Sequence, residues 1–323
     1  MNKSPYSSPL EEADLLNYNL FNGKEDNLKS GFVHLLGKSN VGKSTFVNKI
    51  VGDKVSITSD KPQTTRNRIN CIYNRDDAQV VFLDTPGIHE PENSLGSYLV
   101  EEARKGIKGS DLILYMVEPW EEVPDDERSF LKKISSQQEE VFLIVNKVDI
   151  HSPEEIARTL EAYEDEGIFA EYIPISALTG DGVDIVLDKI VEYLPDGNRL
   201  FPEDVSTDKP LEFLMSELVR EKVYELTYAE LPYSVATRTK SYERRDDEDL
   251  LEVYIDIFVV RRSQKGIIIG KEGQKIKEIG KRARKDLEKL TGSQVYLDLK
   301  VKVAKNWNRR SDSVESLAGF DTE

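Results

Sequence analysis

The octapeptide GKSNVGKS, from Gly37 to Ser44, restricts the fold of this chain more than any other stretch. It lies between an apolar run, GFVHLL, and a helix-like segment, TFVNKIVG. A strand that ends in a glycine-rich turn and feeds a helix belongs to a parallel sheet covered by helices. The glycines let the backbone curl until its N–H groups surround an anion, and the helix start adds partial positive charge. The spacing G-x-x-x-x-G-K-S therefore points to phosphate oxygens. Lys43 supplies a point charge to the β- and γ-phosphates, and Ser44 offers its hydroxyl to Mg2+. Gly37, Lys38, Ser39, Asn40, Val41, Gly42 and Thr45 complete the nucleotide loop.

Further apolar runs follow: QVVFLD, DLILYMVE, VFLIVNK and EYIPIS. They alternate with helix-like segments, SLGSYLVEEARKGI, DDERSFLKKI, SPEEIARTLEAY and GVDIVLDKIVEYL. Alternation of this kind predicts parallel βα units. Three of the strands end in turns with chemistry of their own. In DTPG, Asp84 can hold Mg2+ through a water and the Gly87 N–H can sense a γ-phosphate; Thr85, Pro86 and Ile88 adjoin the nucleotide. In NKVD, Asp149 can accept from guanine N1–H and N2–H2, a donor pair that adenine lacks. Asn146 can brace this loop and approach N7, the Lys147 stem can lie over the base, and Val148 completes the turn. In ISALTGDG, the Ala177 N–H can reach guanine O6, while Ser176 shapes the loop.

These loops, in this order and spacing, resemble a GTPase of the translation-factor-related class, over Gly31 to about Leu194. KPQTTRNR, Lys61 to Arg68, lies where that class has its first switch. The resemblance implies that Thr65 completes the Mg2+ shell, with Thr64 as the other candidate, and that Lys43, Thr65 and Gly87 carry the catalysis. Ras-like GTPases place a water-orienting Gln at the position held here by Ile88, which cannot hydrogen-bond through its side chain. His89 follows it. Intrinsic hydrolysis is therefore expected to be slow. Asn40 stands where related GTPases use an Asn to help hold K+, and the resemblance implies K+ in place of an arginine finger.

The second half differs in composition. LPDGNRLFPEDVSTDKP, 194–210, is rich in turn formers and is the best linker. LEFLMSELVREKVYEL then reads as an amphipathic helix, and YSVATRTKSYE and LLEVYIDIFVV alternate like antiparallel strands. A basic helical stretch, EGQKIKEIGKRARKDLEKL, and a last strand, SQVYLDLKVKV, follow. The formal charge of −16 conceals a local reversal: residues 261–310 hold 16 Lys and Arg against 5 Asp and Glu, whereas residues 311–323 hold 4 acids and no base. A basic module on an acidic body marks a localised polyanion contact.

The element order and IIIGKEGQKIKEIG resemble an RNA-binding KH domain of type 2. Its G-x-x-G signature is Gly270-Lys271-Glu272-Gly273, a loop that clamps about four nucleotides. The resemblance implies that Ile267 to Ile269 and Ile276 form an apolar groove wall and that Lys271, Lys275 and Lys277 meet phosphates. Glu272 departs from this logic, since a carboxylate there repels phosphate; it either tunes specificity or faces away.

A GTPase domain followed by this KH type resembles the Era family of ribosome-assembly GTPases, which share the TrmE-Era-EngA-like GTPase domain. The likeness runs from about Gly31 to Phe320, through VPDDERSFLKKI, LPYSVATRTKSYE and the tail containing Trp307. Lys38-Ser39 replaces the family's Arg-Pro. The implied fold class is α/β: a P-loop GTPase with a doubly wound, mainly parallel sheet, followed by a smaller α+β KH domain. The implied division is a flexible extension at 1–30, the GTPase domain at 31–198, a linker and KH domain at 199–310, and an acidic tail at 311–323. The implied function is a Mg2+-dependent, GTP-binding and GTP-hydrolysing switch. It acts as a monomer on the 3′ region of 16S ribosomal RNA and on the immature small (30S) subunit, not on DNA. The expected location is the cytoplasm. Peripheral membrane association is attributed to the family, but no basic amphipathic anchor here demands it. No apolar run approaches the ~20 residues of a spanning helix, the N-terminus lacks a signal pattern, and the single cysteine, Cys71, is expected to pack in a strand. Rival readings fit less well. A tRNA-modification GTPase would bring a second GTPase domain or cysteine chemistry. A vestigial nucleotide site would not keep Lys43, Ser44, Asp84 and Asp149 together, and a P-loop kinase would not carry NKVD.

Overall fold

In the first of two sheets the apolar content of each strand explains its place. The computed structural model describes residues 28–59, 61, 64–87, 109–120, 122–136, 140–228, 230–245, 249–309, 314 and 317. β1 (Leu28–Leu36) and β3 (Ala78–Asp84) are central, and β3 is buried at every position, as a strand covered on both faces must be. β2 (Ile69–Arg75) pairs antiparallel with β3 at the edge and carries the buried Cys71, whose thiol pKa burial raises well above its ordinary value. On the other side β4 (Leu112–Val117), β5 (Val141–Val145) and β6 (Glu171–Pro174) continue in parallel, giving the order β2-β3-β1-β4-β5-β6. A short β7 (Asp196–Gly197) pairs antiparallel with Leu28 and Lys29. β1 thus begins three residues before the expected start of the domain at Gly31, because polar Lys29 and Ser30 hide a strand whose backbone is paired on both edges.

Among the described residues four helices cover this sheet: α1 (Lys43–Val51), α2 (Asp125–Ser135), α3 (Pro153–Glu164) and α4 (Val183–Tyr193). On one face Val33, Leu35, Phe82 and Leu114 pack with Phe46, Val47 and Ile190. On the other, Ile113, Tyr115 and Leu143 pack with Leu131, Ile134 and Tyr163. α3 starts where SPEE predicts: the Ser152 hydroxyl accepts from Glu155 N (3.3 Å) and the Glu155 carboxylate accepts from Ser152 N (2.8 Å). The helix expected over SLGSYLVEEARKGI lies outside the described residues, as do residues 1–27. Parallel alignment brings the turns after β1, β3, β5 and β6 to one edge of the sheet, the carboxyl ends where open α/β sheets bind ligands.

The segment after β7 runs along the first domain rather than away from it. Leu200 N and Phe201 N donate to Gln79 Oε1, and Ile72 N donates to Ser206 O. α5 (Leu211–Leu226) then opens the second domain, followed by β8 (Val235–Arg245), β9 (Leu250–Val259), α6 (Arg262–Ile269), α7 (Gln274–Thr291) and β10 (Gln294–Val303). The sheet order is β10-β9-β8, with β9 parallel to β10 and antiparallel to β8. Its core holds Met215, Leu218, Val219, Val223, Ile255, Ile257, Ile279 and Leu287. α5 is amphipathic as expected, yet its polar residues Glu217, Arg220, Glu221 and Lys222 are also buried. Arg220 and Glu221 meet the first domain, whose core Phe213 and Leu214 also enter. Trp307 packs with Ala236, Phe258 and Val314 and donates to Ser234 O (3.0 Å). Among the described residues no helix is long and apolar enough to cross a membrane.

Candidate functional site

A pocket of about 470 Å³ opens at the carboxyl ends of the parallel strands, a volume suited to a small molecule. Ser39, Asn40, Gly42, Lys43, Ser44 and Thr45 line it from the first loop. Gly42 has φ +107°, and a Cβ there would lie 2.1 Å from Asn146 Nδ2, so conformation and space both require glycine. Lys43 Nζ donates to the carbonyls of Gly37 and Lys38, both at 3.0 Å. Two of its three donors thus curl the loop. Burial lowers its pKa to about 8 against the pull of Asp84. Lys38 pairs with the buried Glu127 (2.7 Å), which also accepts from the phenols of Tyr115 and Tyr163. No motif announces this outer anchor. Asn40 is exposed in a left-handed conformation (φ +67°).

Three side-chain oxygens converge beside Lys43. Ser44 Oγ lies 2.9 Å from Thr65 Oγ1 and donates to Asp84 Oδ2 at 2.8 Å. Ser56, which no sequence pattern singles out, donates to the same carboxylate oxygen at 2.7 Å. Asp84 is fully buried, and its Oδ1 has no hydrogen-bond partner among the described residues. Burial raises its pKa, opposed by the hydrogen bond from Ser56, the charge of Lys43 and the hydrogen bond from Ser44. Hard oxygens around an unmatched buried carboxylate oxygen fit Mg2+. Of the two candidate threonines, Thr65 stands at these oxygens. Thr64 turns its hydroxyl to Lys61 O (2.6 Å) and its carbonyl to Arg220. Thr85 bonds Leu35 O (2.8 Å), and Gly87 lies so close to the first loop that a Cβ would be 2.5 Å from Ser39 Oγ. Pro86 follows Thr85 in the same turn, whereas Ile88 and His89 lie outside the described residues.

At the opposite end Asn146 joins three loops. It is buried, donates to Val41 O (2.7 Å) and accepts from Ala177 N (2.8 Å). The N–H expected to reach guanine O6 is thus engaged by Asn146. Lys147 takes a left-handed backbone (φ +69°) and pairs with Glu118 at 2.6 Å, laying its stem along the pocket beside Asp149. Val148 N donates to Ile175 O. Ser176 is buried and accepts from Thr179 N (3.1 Å), which shapes the turn.

The first switch is held from the second domain. Thr58 N donates to Glu221 Oε1 at 3.0 Å, and Lys54 reaches Glu221 and Asp286. Lys61 Nζ donates to the carbonyls of Tyr224 and Thr227. Arg66 is 2% exposed. It donates to Val235 O (2.6 Å), Tyr224 Oη (2.8 Å) and Pro232 O (3.3 Å), and lies over the rings of Tyr224 and Trp307. Burial lowers its pKa.

In the second domain the G-x-x-G loop joins α6 to α7 through Lys271–Gly273. Gly270 has φ +73°, and a Cβ there would lie 2.7 Å from Lys275 Cβ. Lys271, Glu272 and Lys277 are exposed, Lys275 is half-buried, and Glu272 is itself left-handed (φ +52°). The expected wall of Ile267, Ile268, Ile269 and Ile276 is corrected by the helix. Successive residues point about 100° apart, so Ile268 is buried in the core, Ile267 is exposed, and Ile269 and Ile276 pack at the core's edge.

Comparison with known proteins agrees with this geometry. A family model described as 50S ribosome-binding GTPase matches residues 32–147, and one described as KH domain matches residues 230–308. The GTPase Era of Alkaliphilus metalliredigens (strain QYMF) is 43% identical over 289 residues, 90% of this chain and 98% of that protein. The GTPase Era of Alkaliphilus oremlandii (strain OhILAs) is 44% identical over 293 residues, 91% of this chain and 99% of its own. A crystal structure of Era in complex with MgGDPNP and nucleotides 1506–1542 of 16S ribosomal RNA superposes with a TM-score of 0.86 at 41% identity, covering 90% of this chain and 99% of that one. A variant of Aquifex aeolicus Era bound to GDP and AlF4− gives a TM-score of 0.86 at 40% identity, with the same coverage.

Proposed function

This chain belongs to the Era family of GTPases, and we propose that it is a Mg2+-dependent switch that engages the 3′ region of small-subunit ribosomal RNA through its KH loop. In this reading it assists maturation of the small subunit, as a monomer in the cytoplasm. One observation carries the switch: the segment that holds Thr65 beside Ser44 and Asp84 is the segment packed against the KH domain. The RNA assignment is supported by the exposed G-x-x-G loop and by the ribosomal RNA present in the complex of the related Era.

GTP is the substrate. The N–H groups of the first loop and Lys43 bind its β- and γ-phosphates, and Asp149 selects guanine by accepting from its two donors. The Gly87 N–H faces the γ-phosphate. Ser44, Thr65 and Asp84 hold the metal ion, Asp84 through a water. When bound, the ion neutralises charge on the β- and γ-phosphate oxygens. An isoleucine side chain at position 88 has no group with which to orient the attacking water, so slow turnover is expected. K+ near Asn40 supplies further positive charge in this proposal, and equal turnover in KCl and NaCl at matched ionic strength would sink that part. Loss of the γ-phosphate releases Thr65, and with it the segment that contacts the KH domain. The RNA reading is tested by crosslinking in cells with Gly270→Asp/Gly273→Asp. Two carboxylates in the loop repel phosphate, so the footprint on small-subunit RNA should vanish. An unchanged footprint refutes the assignment.

A further inference from the structure

We infer that Arg220, on the first helix of the KH domain, is a positioning residue for GTP hydrolysis: it grips the Thr64 carbonyl and thereby aims the Thr65 hydroxyl at the metal oxygens. The carbonyl of Thr64 and the N–H of Thr65 belong to one planar peptide group. Arg220 Nη2 donates to that carbonyl at 2.6 Å, and the Thr65 hydroxyl lies 2.9 Å from Ser44 Oγ. Fixing the plane on one side orients the side chain leaving it on the other.

The grip is itself rigid. Glu217 takes Arg220 through both Nε (2.7 Å) and Nη2, and the guanidinium lies 5.3 Å from the centroid of the Tyr224 ring. Arg220 is 2% exposed. A buried, bidentate guanidinium holds its direction in a way a lysine ammonium cannot. The neighbouring anchors do the same over a longer span. Lys61 is tied to Tyr224 and Thr227, and Arg66 to Pro232, Tyr224 and Val235, all in the second domain. The GTPase centre is therefore completed in cis by a residue of the RNA-binding domain. By linkage, whatever holds Thr65 at the metal also favours the docked KH domain.

This inference rests on the reading of Thr65 as a metal ligand, and three variants of the full chain separate the two. Arg220→Lys keeps a charge beside Glu217 but cannot span both partners. Its kcat should fall about tenfold and the Mg2+ concentration for half-maximal GTP turnover should rise, while Mg2+·GDP affinity stays within about twofold of wild type. Because the site is buried, Glu217→Gln/Arg220→Gln serves as a second variant that removes the ion pair together, and it should show the same split. Thr65→Ala should lose about a hundredfold in kcat. Wild-type turnover and Mg2+ requirement in both Arg220 variants, with Thr65→Ala impaired, overturns the role of Arg220. An equal fall in GDP affinity and GTP turnover also overturns it, since that is what general loosening produces. Unimpaired turnover in Thr65→Ala would instead overturn the metal-site reading.

Discussion

The two ends of the nucleotide pocket are built on different principles. At the guanine end Asn146 ties together the first loop and the Ala177 turn, and every partner comes from the same domain. At the γ-phosphate end the switch segment has anchors on Glu221, Arg220, Tyr224 and Val235, all from the other domain. The base end is a local device, built without a contribution from the KH domain among these contacts. The other end is shared between domains, since the peptide that joins Thr64 to Thr65 is held from α5. Such a division lets one protein bind GTP and GDP alike yet couple hydrolysis to the state of its RNA-binding half.

The contrast is sharpened by substitutions at each end. Asp149→Asn puts an amide where guanine needs an acceptor for two donors, and GTP affinity should fall about a thousandfold. Domain docking, followed by fluorescence transfer between the halves, should not change; a docking change of similar size would show that the guanine end is not local. Arg66→Ala acts at the other end. It strips a buried guanidinium from Val235 O, Pro232 O and Tyr224 Oη, weakening docking by about 3 kcal/mol. Urea unfolding should show the two domains separating at lower denaturant, with GDP affinity within about threefold of wild type. A collapse of GDP binding would erase the distinction between the ends.

The smallest effect concerns Asp286, which pairs with Lys222 (2.9 Å) within its own domain and with Lys54 (3.2 Å) across the domain boundary. Burial alone would raise its pKa, but the hydrogen bond from Lys222 and the charge of Lys54 hold it below the ordinary 3.8. A carboxylate depressed in the docked state contributes above its ordinary pKa and loses that contribution as pH falls below 3.8 toward the lowered value. The contribution is under about 1 kcal/mol, because the pair is partly solvated. Asp286→Asn should flatten the docking curve below pH 3.8, and an unchanged curve would remove Asp286 from the docking account.

Much of the first domain was legible because its signals are local. GKSNVGKS, DTPG, NKVD and ISALTGDG are each a strand end followed by a turn, so parallel pairing of the strands brings them together. The KH element order was legible for the same reason. What stayed hidden was long-range or unpatterned. Ser56 on Asp84 and Glu127 on Lys38 are single polar residues that no spacing marks. Leu28 escaped because a strand paired on both edges needs no apolar alternation at its first turn. Ile268 leaves the expected isoleucine wall because a resemblance supplied residues without the helical phase that sorts them.

By itself the sequence determined that the chain has a phosphate loop, a guanine-reading loop, a pair of threonines in a switch and a basic G-x-x-G module. These are short-range patterns, and backbone geometry alone enforces them. Only the tertiary structure decided which threonine stands beside Ser44 and Asp84 and what covers the polar face of α5. LEFLMSELVREKVYEL reads as a helix with one side for a core and one for water. In the folded chain the second side meets the switch segment, because Glu217 takes Arg220 through Nε and Nη2 and Nη2 also donates to Thr64 O. A buried polar group must find its partner, and here that partner lies 156 residues away in the chain.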